Sequence, residues 1–217
     1  MEATGTTTAS SADAYPAAPW ILFGSAWVSL WKVPGRALPP AATGLRYAQW
    51  ADQALLFTIW ASYAPGSTVQ YDELAVAVPV RGAGLLAACT VSQIWVSDAV
   101  AAEGGCGLWG IPKVVGSFDA PPDDNRGYAR HLSEAGRDVA ALRFEPGSTW
   151  PGRPKLKGFV VQVGEGGPLR TRCSVSGKVA GGRAIWDFPL DGPLAYLHGR
   201  QPLFSVQISD MQLACGI

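Results

Sequence analysis

Runs of β-branched and aromatic residues, each ended within a few positions by a glycine or proline cluster, commit most of this chain to short strands. The run containing Trp27 and Trp31 stops at Pro34-Gly35, and the run containing Trp60 stops at Ala64-Pro65-Gly66. Such residues fit a pleated, half-buried surface, whereas Gly and Pro set backbone angles that a ladder cannot continue through. Strands are expected over residues 26–33, 55–63, 74–80, 86–96, 139–144, 159–163, 170–179, 184–188 and 203–213. Short strands with turn signals between them read as an antiparallel barrel or sandwich. The fold class is therefore mainly β (α+β) with a few short helices. No Rossmann-type alternation of strand and helix is present, and no glycine-rich segment opens a helix as a phosphate loop does.

Charge narrows the function classes. The chain has 217 residues and net charge +0, with only 16% charged and 48% hydrophobic residues. It lacks the basic footprint of a nucleic-acid or anionic-membrane binder, and no segment reaches the roughly 18 apolar residues of a membrane span. Nine tryptophans in such a body imply a large apolar interior, the usual setting of a small-molecule site. Residues 1–14 are small and polar and read as a disordered tail without a secretory leader; residues 15–217 read as one domain in a cytoplasmic protein. Four scattered cysteines (Cys89, Cys106, Cys173, Cys215) and two histidines offer no metal-ligand spacing, so no metal is expected. Without a leader, the cysteines read as buried free thiols.

One segment breaks the strand rhythm. Ser97-Asp98 followed by an alanine-rich run is a helix start with a good N-cap. The helix is expected to stop at Gly104-Gly105, and a second helix is expected over 130–136. After the glycines come Trp109-Gly110-Ile111-Pro112-Lys113, with Val114 and Val115 beyond. A lysine between apolar residues either snorkels to water along its stem or is a desolvated amine. Desolvation disfavours the ammonium, and a neutral amine can attack a carbonyl to form a Schiff base.

Tyr71-Asp72-Glu73 at the head of one strand, together with the Gly-rich segment ending in Pro112-Lys113, resembles the acetoacetate decarboxylase superfamily. There a Tyr-x-Glu leads a strand and a Gly-Arg-Glu-x-x-x-x-Pro-Lys segment delivers the Schiff-base lysine. The resemblance implies a closed antiparallel β-barrel with an internal cavity. It also implies Lys113 as the nucleophilic amine, Glu73 as the orienting or proton-transfer carboxylate, no cofactor, and a family tendency to form homo-oligomers. Trp27, Trp31, Trp60, Tyr71, Trp109 and Ser25 are the expected substrate-binding residues, and Tyr63 is a further hydroxyl that could reach the cavity. The departures are as informative. The second lysine of the decarboxylases falls at Val114, their Arg-Glu at Cys106-Gly107, and their early-strand arginine at Ser25. Without those cations a β-keto acid anion has no evident anchor, so the expected partner is an apolar carbonyl compound of the polyketide or terpenoid type. The expected chemistry is lyase-like; a non-covalent cyclase or isomerase and a non-catalytic carrier are the other readings.

Overall fold

A computed structural model describes residues 14–82, 88–119, 128–164 and 166–217. The expected tail lies almost wholly outside them. The described chain forms one 12-stranded sheet. Its strands are β1 (Trp20–Pro34), β2 (Gln49–Trp50), β3 (Gln53–Tyr63), β4 (Asp72–Pro79), β5 (Ala88–Val96) and, after α1 (Ala99–Trp109), β6 (Lys113–Val115) and β7 (Ser117–Asp119). Then come β8 (Tyr128–Glu134), β9 (Arg137–Thr149), β10 (Lys155–Gly164), β11 (Gly167–Asp187) and β12 (Phe204–Cys215). The pairings β5-β4-β3-β1-β12-β11-β10 return to their start, because β10 pairs with β11 on one edge and with β5 on the other. β9, β8 and β7 continue outward from β11 as a second layer.

Side-chain alternation sorts the apolar residues of the ring into two cores. Trp20, Leu22, Ala26, Ala61, Tyr63, Tyr71, Ala75, Ile94 and Val96 pack together with residues from α1, β10, β11 and β12, on the face the ring surrounds. Trp27, Trp31, Leu56, Trp60, Leu74, Val76 and Trp95 point the other way and pack against Leu132, Leu142 and Phe144 of the second layer. Both faces of β4 are thus covered, which is why seven of its eight residues are buried.

Three expectations change. The segment 130–136 is a strand, β8, and not a helix: it turns into β9 through Ala135-Gly136, whose φ values of 48° and 78° are those of a type I′ hairpin turn. The strands expected over 170–179 and 184–188 are one, β11, which passes through Gly181-Gly182 without breaking. Cys173 and Cys215, directly opposite each other on β11 and β12, form a disulfide, so only Cys89 and Cys106 are free thiols. No helix among the described residues is long and apolar enough to cross a membrane.

Candidate active site

The helix α1 packs against the site and leads the chain into it. Asp98 caps α1, its side chain accepting the Ala101 N–H at 2.8 Å. The helix does not stop at Gly104-Gly105 but runs about one turn further, to Trp109, and ends at Gly110 with φ 63°. Glycine inside a helix costs about 1 kcal/mol relative to alanine, and the packing shows why these glycines are tolerated. A Cβ on Gly105 would lie 2.6 Å from Cδ of Lys113; on Gly104 it would strike the Trp20 ring, and on Gly107 the Tyr15 hydroxyl. The glycines are the groove in which those side chains lie. The chain then turns back, and β6 pairs in parallel with β5 so that Lys113 sits beside Ile94 and faces the enclosed core.

Glu73 reaches the same core from β4, where it pairs with Ala61 of β3 and Val96 of β5. Lys113 Nζ donates to Glu73 Oε2 at 3.0 Å and to the Tyr71 hydroxyl at 2.8 Å. Tyr71 donates to the same Oε2 at 3.2 Å, and Tyr63 donates to Oε1 at 3.3 Å. The side chains of Lys113 and Glu73 are only 3% and 11% exposed. The amine also lies 4.5 Å from the centroid of the Tyr71 ring and 5.9 Å from that of Trp20, which meets Trp109 edge-on. A buried pair of this kind carries a desolvation cost that only good geometry and added hydrogen bonds offset; the two phenols supply those bonds. Burial first, and the Glu73 charge second, hold both phenols well above the usual tyrosine value, so they remain protonated donors.

Of the expected site residues, Lys113, Glu73, Tyr71 and Trp109 share this core, and Trp20 and Tyr63 join them. Trp27, Trp31 and Trp60 lie in the other core, and Ser25 is half-buried opposite Ser62. The reason is parity: Trp60 pairs with Leu74, and Ala61 with Glu73, so Trp60 must face away from the carboxylate. Gly105 and Trp20 escape a sequence reading because nothing in the chain order links them to Lys113. A surface cleft of about 630 Å³ elsewhere, lined by Glu134, Arg137, Asp138 and Pro189 among others, contains neither Lys113 nor Glu73.

Residues 36–165 match the acetoacetate decarboxylase (ADC) family. The chain belongs to that family. Solved structures similar to it include the enduracididine biosynthesis enzyme MppR with HEPES buffer bound, at 18% identity and TM-score 0.62, covering 100% of this chain and 97% of that one. The acetoacetate decarboxylase of Legionella pneumophila is similar at 14% identity and TM-score 0.65, covering 93% and 86%. An acetoacetate decarboxylase-like enzyme of Sphingomonas wittichii RW1 follows at 17% and 0.55, covering 99% and 95%. No curated protein matches the sequence. At these identities the structural likeness establishes an ADC-like, mostly β fold.

Proposed function

We propose that the chain is a lyase-type enzyme in which Lys113 forms a Schiff base with an apolar carbonyl compound, inside a closed barrel formed by the strand ring. The observation that carries this reading is the amine held 3.0 Å from one carboxylate and 2.8 Å from one phenol within an apolar core. Glu73 Oε2 accepts a proton from Nζ, and the freed amine attacks the carbonyl carbon. The carboxylic acid returns the proton to the carbonyl oxygen, giving a carbinolamine. A further proton transfer releases water and leaves an iminium. The iminium takes up the electron pair of an adjacent bond as that bond breaks. The enamine so formed takes a proton at carbon from water through Glu73, and hydrolysis of the restored iminium frees the product and the amine. Tyr71, bonded to both Lys113 and Glu73, keeps their atoms in register for each transfer.

The side chains that meet Lys113 Nζ (Glu73 and Tyr71, with Trp20 beside them) supply no second cation for a carboxylate. This supports an uncharged substrate over a β-keto acid. MppR, a neighbour in fold, has been solved complexed with pyruvate and with the condensation product of pyruvate and imidazole 4-carboxaldehyde; by analogy, carbonyl condensation belongs among the reactions to test. The test is borohydride reduction in the presence of candidate ketones and aldehydes, with peptide mapping. A mass gain confined to Lys113 is expected. Turnover without any such gain overturns the covalent reading and favours a cyclase or isomerase in which Lys113 acts as the hydrogen-bond donor it already is towards Tyr71.

A further inference from the structure

The outer edge of β5 is shared between two strands. β10 pairs with it in parallel at Ala88 and Cys89, and β6 pairs with it at Ile94, Trp95 and Val96. Between these pairings, at Thr90 to Gln93, no strand among the described residues covers the edge. The opposite edge is irregular at the same level, where the β4 register shifts between Val76 and Ala77. Two paired residues make this the weakest seam in the ring; β3 and β4, by comparison, pair over six.

A side chain closes what the backbone leaves open. Gln162, on β10 and 4% exposed, donates from Nε2 to the Val91 carbonyl at 3.0 Å and accepts the Thr90 hydroxyl at Oε1 at 2.8 Å. Thr90 is equally buried. The seam adjoins the site: Val91 and Ile111 belong to the core that holds Trp109 and Tyr71, and Gly110, at the end of α1, abuts Gln162. An amide is a good latch, because leaving a buried polar group unpaired is costly whereas exchanging one partner for another is nearly neutral.

We propose that Gln162 is a gate and a specificity-determining residue: its carboxamide latches the β5–β10 seam, and the substrate reaches Lys113 by displacing it. A polar group on the incoming carbonyl compound would take over the bonds to Thr90 and Val91, so the gate favours molecules that carry a hydrogen-bonding group beside their apolar body. The proposal rests on the reading of Lys113 as a substrate-binding amine, but its test does not need a Schiff base.

Cys89 lies at the seam as a native reporter, and Cys106 is an exposed control. Burial pushes the Cys89 thiol up to about 11, so its alkylation is slow while the seam is closed. Native protein and Gln162→Leu are treated with N-ethylmaleimide, and separately with the acetyl ester of N-hydroxysuccinimide, and the modified peptides are counted by mass spectrometry. The expected result is a rise of about tenfold at both Cys89 and Lys113, with Cys106 unchanged. Thr90→Val, which removes one latch bond and keeps the side-chain shape, is expected to give a smaller rise at the same two sites; it decides the matter if Gln162→Leu does not fold. Unchanged labelling in a folded variant overturns the proposal, and so does a rise at Cys89 alone, which would show that the seam opens without leading to the amine. Failure of borohydride trapping alongside faster acylation of Lys113 would count against the Schiff base and leave the gate standing.

Discussion

Gly105→Ala separates two effects of opposite sign. Alanine at an interior helical position is worth about 1 kcal/mol over glycine, so if the helix acted alone the variant would be more stable than the parent. The new methyl, however, would lie 2.6 Å from Cδ, 2.8 Å from Cε and 3.2 Å from Cγ of Lys113. Ordinary carbon contacts fall at about 3.5–4.0 Å, so the side chain must move by roughly 1 Å. Its stem has freedom to do so, but its ammonium does not: Nζ is tied to Tyr71 and Glu73, and a charged hydrogen bond contributes about 1.5–3 kcal/mol. Weakening both bonds outweighs the helical gain, and a net loss of about 1–3 kcal/mol is expected. Urea unfolding followed by circular dichroism measures it. A shift of about 1 Å in a reacting atom also costs about a hundredfold in rate, which borohydride trapping at Lys113 would read. A variant stabilised by about 1 kcal/mol that traps at the parental rate would refute the tight seating of Lys113 against α1.

Lys113→Met leaves Glu73 buried without its cation and is expected to cost about 3–5 kcal/mol by urea unfolding, most of it recovered in Lys113→Met/Glu73→Leu. For Tyr63 and Tyr71 the folded pKa lies above the unfolded value of about 10, so the unfolded chain ionises first. Stability is therefore full below pH 10 and falls as pH rises beyond it, and the Tyr63→Phe/Tyr71→Phe variant should show a flatter alkaline limb in a series of thermal melts. Thiol titration in denaturant without reductant should count two free thiols, Cys89 and Cys106, and adding reductant should lower the folding stability by up to about 4 kcal/mol, given the 42-residue separation of the bridged pair. Val114→Lys restores the paired lysines of the decarboxylase motif, yet residue 114 is 42% exposed and faces away from the site, so trapping at Lys113 should change by less than about threefold.

Much of this architecture could be read from the chain because strands announce themselves locally. The runs ending at Pro34-Gly35 and Ala64-Pro65-Gly66 end where β1 and β3 end, although β1 begins six residues before the expected start, and Asp98 is the helix cap expected of it. What could not be read depends on partners distant in sequence. The extension of α1 through three glycines is decided by Trp20, Tyr15 and Lys113 filling the space those glycines leave. Strand β8 has only Leu132 buried, so its pattern is too weak to distinguish from a polar helix until β9 pairs with it. The disulfide depends on the register of β11 with β12, which no spacing reveals.

Parity is the one signal that was present and usable. Within each strand the residues of one core alternate with those of the other: Trp60 with Ala61, Glu73 with Leu74, Ile94 with Trp95. Once Glu73 is placed inward, the β3–β4 register that the structure supplies puts Trp60 outward, and the tryptophan-rich look of the strands reports on the core between layers and not on the surroundings of the amine. The same rule bears on the departures from the decarboxylase motif. Val114 faces outward on β6, and Cys106 and Gly107 lie on the exposed side of α1, while Gly104, Gly105 and Lys113 face in. The charges that this chain lacks at positions 106, 107 and 114 would not have touched Nζ directly, because the helix and strand carry those positions away from it. The groups that do touch it, Glu73 and Tyr71, are those in the Tyr-x-Glu segment. In this chain, positions 106, 107 and 114 belong to the outer surface of α1 and β6, while the amine, its carboxylate and its phenol are in contact.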